Sequence, residues 1–171
     1  MSWFNHMRDT FLAPAHDFTQ RFVTCTSPSG LHRMAYTEWG AHNNPKVVIC
    51  VHGYTRTGRD FDYLARTLCS RYRVVCPDVV GRGKSDWLRD KMGYGLPQFV
   101  SDMVTLIARL DVEEVHWVGT SLGGMIGMIL ASQEDSPITR LVLNDIGPRL
   151  AGEAVRRMRE YIGRAPVFDT F

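Results

Sequence analysis

The stretch that most narrows the fold is Gly119-Thr120-Ser121-Leu122-Gly123, because it leaves no room for a loop between two regular elements. Before it, Val115-His116-Trp117-Val118 is a short apolar run of strand character. After it, Leu122 to Ala131 reads as a helix. Strand must turn into helix within one or two residues, and a corner that sharp brings two backbones together. Glycine on either side of Ser121 removes the Cβ atoms that would collide there. Gly124 and Gly127 continue a small face along the helix, letting it lie close to a sheet, with Met125, Ile126, Ile129 and Leu130 as packing bulk. Ser121 is therefore expected at the C-terminal edge of that sheet, strained and accessible, with the positive end of the helix dipole directed at it.

The remainder of the chain supplies a sheet for this corner. From Lys46 onward, short β-branched runs alternate with longer helical periods, the pattern of parallel strands joined by crossover helices. Strands are expected at Val47 to Val51, Arg73 to Cys76, Val115 to Val118 and Arg140 to Leu143. Phe61, Leu64, Ala65 and Leu68 mark one helix by their i, i+3, i+4 and i+7 spacing, and a second opens at Pro97 with Val100, Met103, Val104, Ile107 and Leu110 on its apolar side. Gln20 to Thr26 and Leu31 to Trp39, parted by Pro28-Ser29-Gly30, read as an antiparallel hairpin ahead of the parallel part. Glu153 to Tyr161 is a further helical segment, stopped by Pro166. Trp3, Phe4, Met7, Phe11 and Leu12 recur at helical spacing in an N-terminal arm, expected to dock on the protein's own surface rather than on a membrane.

Composition excludes several classes of function. Over 171 residues, 44% hydrophobic and 22% charged describe one globular domain with a sizeable core. Twenty Lys and Arg stand against 18 Asp and Glu, spread along the chain, so no nucleic-acid partner is indicated. Cys25, Cys50, Cys69 and Cys76 form no CxxC pair, which points to free thiols in a reducing compartment and no zinc, and no cofactor is expected. With neither a signal-peptide core nor a spanning stretch, a cytoplasmic location is expected. Gly81-Arg82-Gly83-Lys84-Ser85 ends like a phosphate-binding P-loop, but the position that needs the first glycine holds Asp78, and no helix can begin in the Gly- and Pro-containing segment that follows.

Three motifs in chain order resemble the α/β-hydrolase family: His52-Gly53-Tyr54 after one strand, Asp78-Val79-Val80-Gly81-Arg82-Gly83-Lys84-Ser85 after the next, and the Ser121 corner itself. Together they span nearly all of residues 20 to 150. The resemblance implies a mostly parallel α/β sheet with crossover helices, interrupted after its sixth strand, divided as an arm (1–19), the N-terminal part of the core (20–150) and the start of a helical cap (151–171). It implies Ser121 as catalytic nucleophile, with the backbone N–H groups of Tyr54 and Leu122 as an oxyanion hole. His52 is expected to brace its loop, His116 to pack within its strand, Asp78 to fix the rim loop, and Arg56 to be a surface arginine rather than a ligand for a substrate carboxylate.

The implied activity is hydrolysis of an ester, lactone or thioester through an acyl-enzyme, acting on a small-molecule substrate. Serine at the corner separates the chain from epoxide hydrolases and haloalkane dehalogenases, which resemble the fold but place aspartate there; carbon-carbon hydrolases and cofactor-free haloperoxidases also use serine and stay open. All six histidines, His6, His16, His32, His42, His52 and His116, precede Ser121, whereas the family's order is nucleophile, acid, histidine. The acid and histidine are thus expected beyond Phe171, in roughly 100 further residues built of two βα units and a cap, or on a complementary C-terminal piece. Asp145 is the alternative acid, though a turn-bracing role is favoured for it. The contrasting reading is a catalytically incomplete fragment or binding module, whose open sheet edge would favour aggregation.

Overall fold

The computed structural model describes residues 18–149, together with Gly152 and Arg156. The N-terminal arm before Phe18 and, apart from Arg156, which is helical, the expected helix at Glu153 to Tyr161 lie outside those residues. Six strands form one sheet in the order β1-β2-β4-β3-β5-β6. The hairpin β1 (Phe18–Ser27) and β2 (Gly30–Trp39) is antiparallel, and β2 pairs antiparallel with β4 (Arg73–Pro77). From β4 through β3 (Val47–Val51), β5 (Val115–Thr120) and β6 (Ile138–Asn144) every pairing is parallel. The expected mixed, mostly parallel sheet is present, with β1 beginning at Phe18, two residues earlier than the hydrophobic pattern indicated.

The residues of β3 show why the run is continuous rather than alternating. All five are buried, since Val47, Ile49 and Val51 face one layer and Val48 and Cys50 the other. The larger layer packs the sheet against α2 (Leu96–Leu110) and α3 (Leu122–Ala131), through Phe99, Met103, Leu106, Ile126 and Leu130. The opposite layer is smaller, with Trp39, Val74 and Cys76 covered by Phe61 and Ala65. Helices on both faces are what a parallel sheet needs to bury both sides.

Two helical faces differ from the periodic reading. Phe61 belongs to a 3-10 turn (Gly58–Phe61) preceding α1 (Asp62–Leu68), and Leu64 is 38% exposed, because seven residues bury only the turn around Ala65. In α2, which starts at Leu96, Val104 is 51% exposed, while Phe99 and Leu106 face the core beside buried Gln98 and Asp102. Gln98 donates to Asp102 Oδ1 (2.7 Å) and to the Thr26 carbonyl (2.8 Å), and His32 Nε2 meets Asp102 Oδ2 at 3.0 Å. Helix and hairpin are thereby tied by polar groups on a face that periodicity assigns to apolar ones. All four cysteines are free.

Candidate active site

The C-terminal ends of the parallel strands converge on one edge, where crevices between diverging loops form in such sheets. Ser121 follows β5 there and is the N-cap residue of α3. Its backbone sits at φ 48° and ψ −108°, a conformation that residues with a Cβ rarely adopt. The neighbouring structure holds it in place. The Ser121 N–H donates to the Asn144 carbonyl at the end of β6, and the Ser121 carbonyl accepts from Met125 N–H, both at 3.0 Å.

The glycines around it are required by close approach. A Cβ on Gly119 would come within 2.5 Å of the Gly124 nitrogen, and one on Gly123 would run into the Val51 carbonyl oxygen. A Cβ on Gly127 would lie 2.6 Å from Cδ1 of the Trp117 indole. Trp117 is fully buried, and its Nε1–H donates to the Gly123 carbonyl at 2.9 Å, locking strand to helix from beneath. This brace was readable only as a demand, since a buried indole N–H needs an acceptor that the sequence does not name.

The His52-Gly53-Tyr54 loop after β3 lies directly beside the serine. The position of a Cβ on Gly53 is 3.8 Å from Ser121 Cβ. Among the described residues no hydrogen bond uses the N–H of Tyr54 or of Leu122, the first residue of α3. The Leu122 side chain is buried and Tyr54 is 42% exposed. Ser121 and both expected donor residues therefore meet at one corner.

His52 is fully buried and its ring is spent locally. Nδ1–H donates to the Gly53 carbonyl at 2.7 Å, and Nε2 accepts from Val79 N–H at 3.0 Å. Burial pulls its pKa below the ordinary 6.5. With its tautomer fixed by two partners, it joins the loop after β3 to the loop after β4 and has no nitrogen left for Ser121. His116 is the second residue of β5, about 16 Å along the strand from Ser121 at ~3.3 Å per residue, and stacks near Tyr72. His32 is bound to Asp102 and His42 to Glu38. No described histidine is available as a base for Ser121.

The loop after β4 is tied by Asp78. Its Oδ1 accepts from Gly58 N–H and its Oδ2 from Lys84 N–H, both at 2.8 Å, and a Cβ on Gly83 would strike that carboxylate. Ser85 Oγ donates to the Asp78 carbonyl and accepts from Ala35 N–H. The Gly-Lys-Ser sequence is thus the closing part of a turn that leads into no helix, and Lys84 is exposed. Arg56 is exposed and paired with Asp60 through bonds of 2.7 and 2.8 Å, in keeping with a surface arginine. Asp145 follows β6 at φ 55°, exposed, one residue past the carbonyl that holds Ser121.

Cys25, His32 and Asp102 are the one described trio whose donor atoms all lie within 4.8 Å of one another. Burial pushes the Cys25 thiol up to about 12, and Asp102 already accepts from His32 and Gln98, so the trio serves as a buried polar staple. No helix among the described residues is long and apolar enough to cross a membrane.

Known proteins share this arrangement. A family model described as alpha/beta hydrolase fold matches residues 46–163. A 3-hydroxybutyrate-oligomer hydrolase of Cupriavidus necator is 63% identical over 150 residues, covering 88% of this chain and 51% of that protein. Lipase LipV of Mycobacterium tuberculosis is 30% identical over 124 residues, 72% of this chain and 46% of its own. The crystal structure of an alpha/beta hydrolase from Novosphingobium aromaticivorans superposes with a TM-score of 0.78 at 37% identity, over 88% of this chain and 52% of that one. The chain spans about half the length of these relatives. The family match and these likenesses show that the chain belongs to the α/β-hydrolase fold family.

Proposed function

We propose that the protein hydrolyses carboxylic esters through an acyl-enzyme on Ser121, with the Tyr54 and Leu122 N–H groups as oxyanion donors. The observation that carries this reading is the Ser121 corner: a serine at positive φ, heading α3, beside a loop and a helix start whose N–H groups are unused. The serine Oγ attacks the ester carbonyl carbon while its proton passes to a base, and the oxyanion is held by the two amides and the α3 dipole. Collapse breaks the ester C–O bond, and the base returns the proton to the departing alkoxide. Water then repeats the sequence on the acyl-enzyme, releasing the acid and restoring Ser121.

No described histidine has a free nitrogen near Ser121, and the base is assigned to a histidine that follows Ser121 in the whole reading frame, in the family's order of nucleophile, acid and histidine. The 63% identical relative's name favours esters of short hydroxy acids within the ester, lactone and thioester range. Hydrolysis of p-nitrophenyl acetate by the whole reading frame and by its Ser121→Ala variant tests this. Turnover should fall by at least about a thousandfold in the variant. Equal turnover would end the proposal. The segment 1–171 alone should behave as the incomplete catalyst that the position of its histidines implies.

A further inference from the structure

An open cleft of about 780 Å³ is walled in part by Tyr54, the proposed oxyanion donor, together with Arg56, Arg82, Trp87, Arg89 and Lys91. Four of these are cations, and none of the lining residues is an acid. The nearby carboxylates are engaged elsewhere: Asp60 with Arg56, Asp86 with Arg33, Asp78 with the backbone of Gly58 and Lys84, Asp90 with Met92 N–H. Arg82 differs from its neighbours. It is only partly exposed, and its guanidinium lies over the rings of Tyr54 (4.7 Å), Phe99 (5.1 Å) and Tyr94 (6.0 Å). Nε donates to the Tyr54 carbonyl at 3.0 Å and Nη1 to the Val80 carbonyl at 2.8 Å, which leaves Nη2 without a protein acceptor among the described residues. Burial lowers its pKa, yet an arginine stays charged at neutral pH.

A half-buried cation fixed by two carbonyls and three rings, with no anion beside it, is a preorganised receptor for a carboxylate. Resting on the ester-hydrolase reading above, we infer that Arg82, supported by Arg89 and Lys91, binds the free carboxylate end of an oligomeric hydroxy-acid ester whose scissile carbonyl lies at Ser121. In such an oligomer the free carboxylate belongs to the alcohol side of the last ester bond. The cleft is then the leaving-group site. Attack by Ser121 forms the acyl-enzyme with the rest of the oligomer, and the released alcohol, protonated by the base, is the terminal hydroxy acid still held on Arg82. The protein shortens its substrate from the carboxylate end.

The test compares two substrates that differ only at that end: the linear dimer of 3-hydroxybutyrate as the free acid, and the same dimer capped as its N-methylamide. In the whole reading frame, kcat/KM for cleavage of the internal ester should favour the acid by about tenfold or more, the scale of one charge-assisted hydrogen bond. In Arg82→Gln the preference should fall to near one. A purely structural role for Arg82 lowers both substrates together and leaves the ratio as it was, which overturns the inference, as does a ratio near one in the unaltered protein. Binding gives a second arm that needs no turnover. In Ser121→Ala, fluorescence of Trp87, which lines the cleft, should report tighter binding of the acid than of the amide by the same factor, and equal affinities overturn the inference. Cleavage undiminished in Ser121→Ala would refute the nucleophile assignment instead, with the binding ratio still deciding the carboxylate site.

Discussion

Replacing Ser121 by glycine removes the proposed nucleophile and should stabilise the fold relative to Ser121→Ala. Both variants lack Oγ, so their difference reports on the backbone alone. At φ 48° and ψ −108° a Cβ is strained, whereas glycine reaches the same point without penalty, because its mirror image lies in the extended region. Strain of this kind is worth about 1–3 kcal/mol, and glycine's greater freedom in the unfolded chain takes back ~0.5–1 kcal/mol. The net gain for glycine over alanine is then about 1 kcal/mol, or an increase in Tm of about 1–2 °C for a protein about twice the length of this chain. The bonds from Ser121 to Asn144 and Met125 involve only the backbone and survive in both variants. Thermal melts of the two proteins, made with the whole reading frame, measure the difference. Ser121→Gly melting below Ser121→Ala would show that the corner stores no strain.

Gly123→Ala drives a methyl group into the Val51 carbonyl of central β3, which has no freedom to move, and should cost about 3 kcal/mol, at the upper end for overpacking, read as a lowered urea midpoint. His52, its pKa depressed by burial, takes up its proton at lower pH in the folded state than in the unfolded chain; stability should therefore drop from pH 7 towards pH 5.5, and His52→Gln should flatten that slope. Burial alone would raise the Glu38 carboxyl, but hydrogen bonds from Arg73 and His42 outweigh it and hold it below 4.5, so its contribution is complete above that pH and lost on further acidification. Glu38→Gln leaves buried Arg73 without its anion and should cost ~3 kcal/mol by chemical denaturation at pH 7. Among the described residues β6 pairs on one side only and shows Val142 at 54% exposure, so residues 1–171 alone should elute as higher assemblies in light-scattering chromatography; a monodisperse, cooperatively melting monomer would contradict this.

Much of this site was legible because it depends on backbone geometry, which leaves a mark in glycine and strand-helix spacing. Gly119 and Gly123 announced the tight corner around Ser121, and the run Val47 to Val51 announced a strand buried on both faces. The bracing role of His52 came with the family resemblance, and that of Asp78 with its place in the glycine loop. Side-chain networks closed over long sequence separations were not legible. Trp117 reaching the Gly123 carbonyl, Glu38 gathering Arg21, Arg73 and His42, and Asp102 meeting His32 across the hairpin depend on register and layer spacing that no local pattern encodes. The polar pair Gln98 and Asp102 on the inner face of α2 was the available signal for the last of these. Arg82 was hidden inside a glycine motif, and its isolation from every acid emerges only once Asp60, Asp78 and Asp86 are seen to be taken. Val104 and Leu64 mark the limit of periodicity: α1 is too short, and α2 too rotated, for every apolar residue to face inward.

The most direct test of Ser121 as nucleophile is covalent capture. The protein carrying its whole reading frame is treated with a fluorophosphonate, which transfers its phosphonyl group to an activated serine Oγ with loss of fluoride, and is then digested and sequenced by mass spectrometry. A single adduct on the peptide containing Ser121, missing in Ser121→Ala, is the result this account requires. An adduct on another residue, or none in protein that cleaves esters, would contradict it.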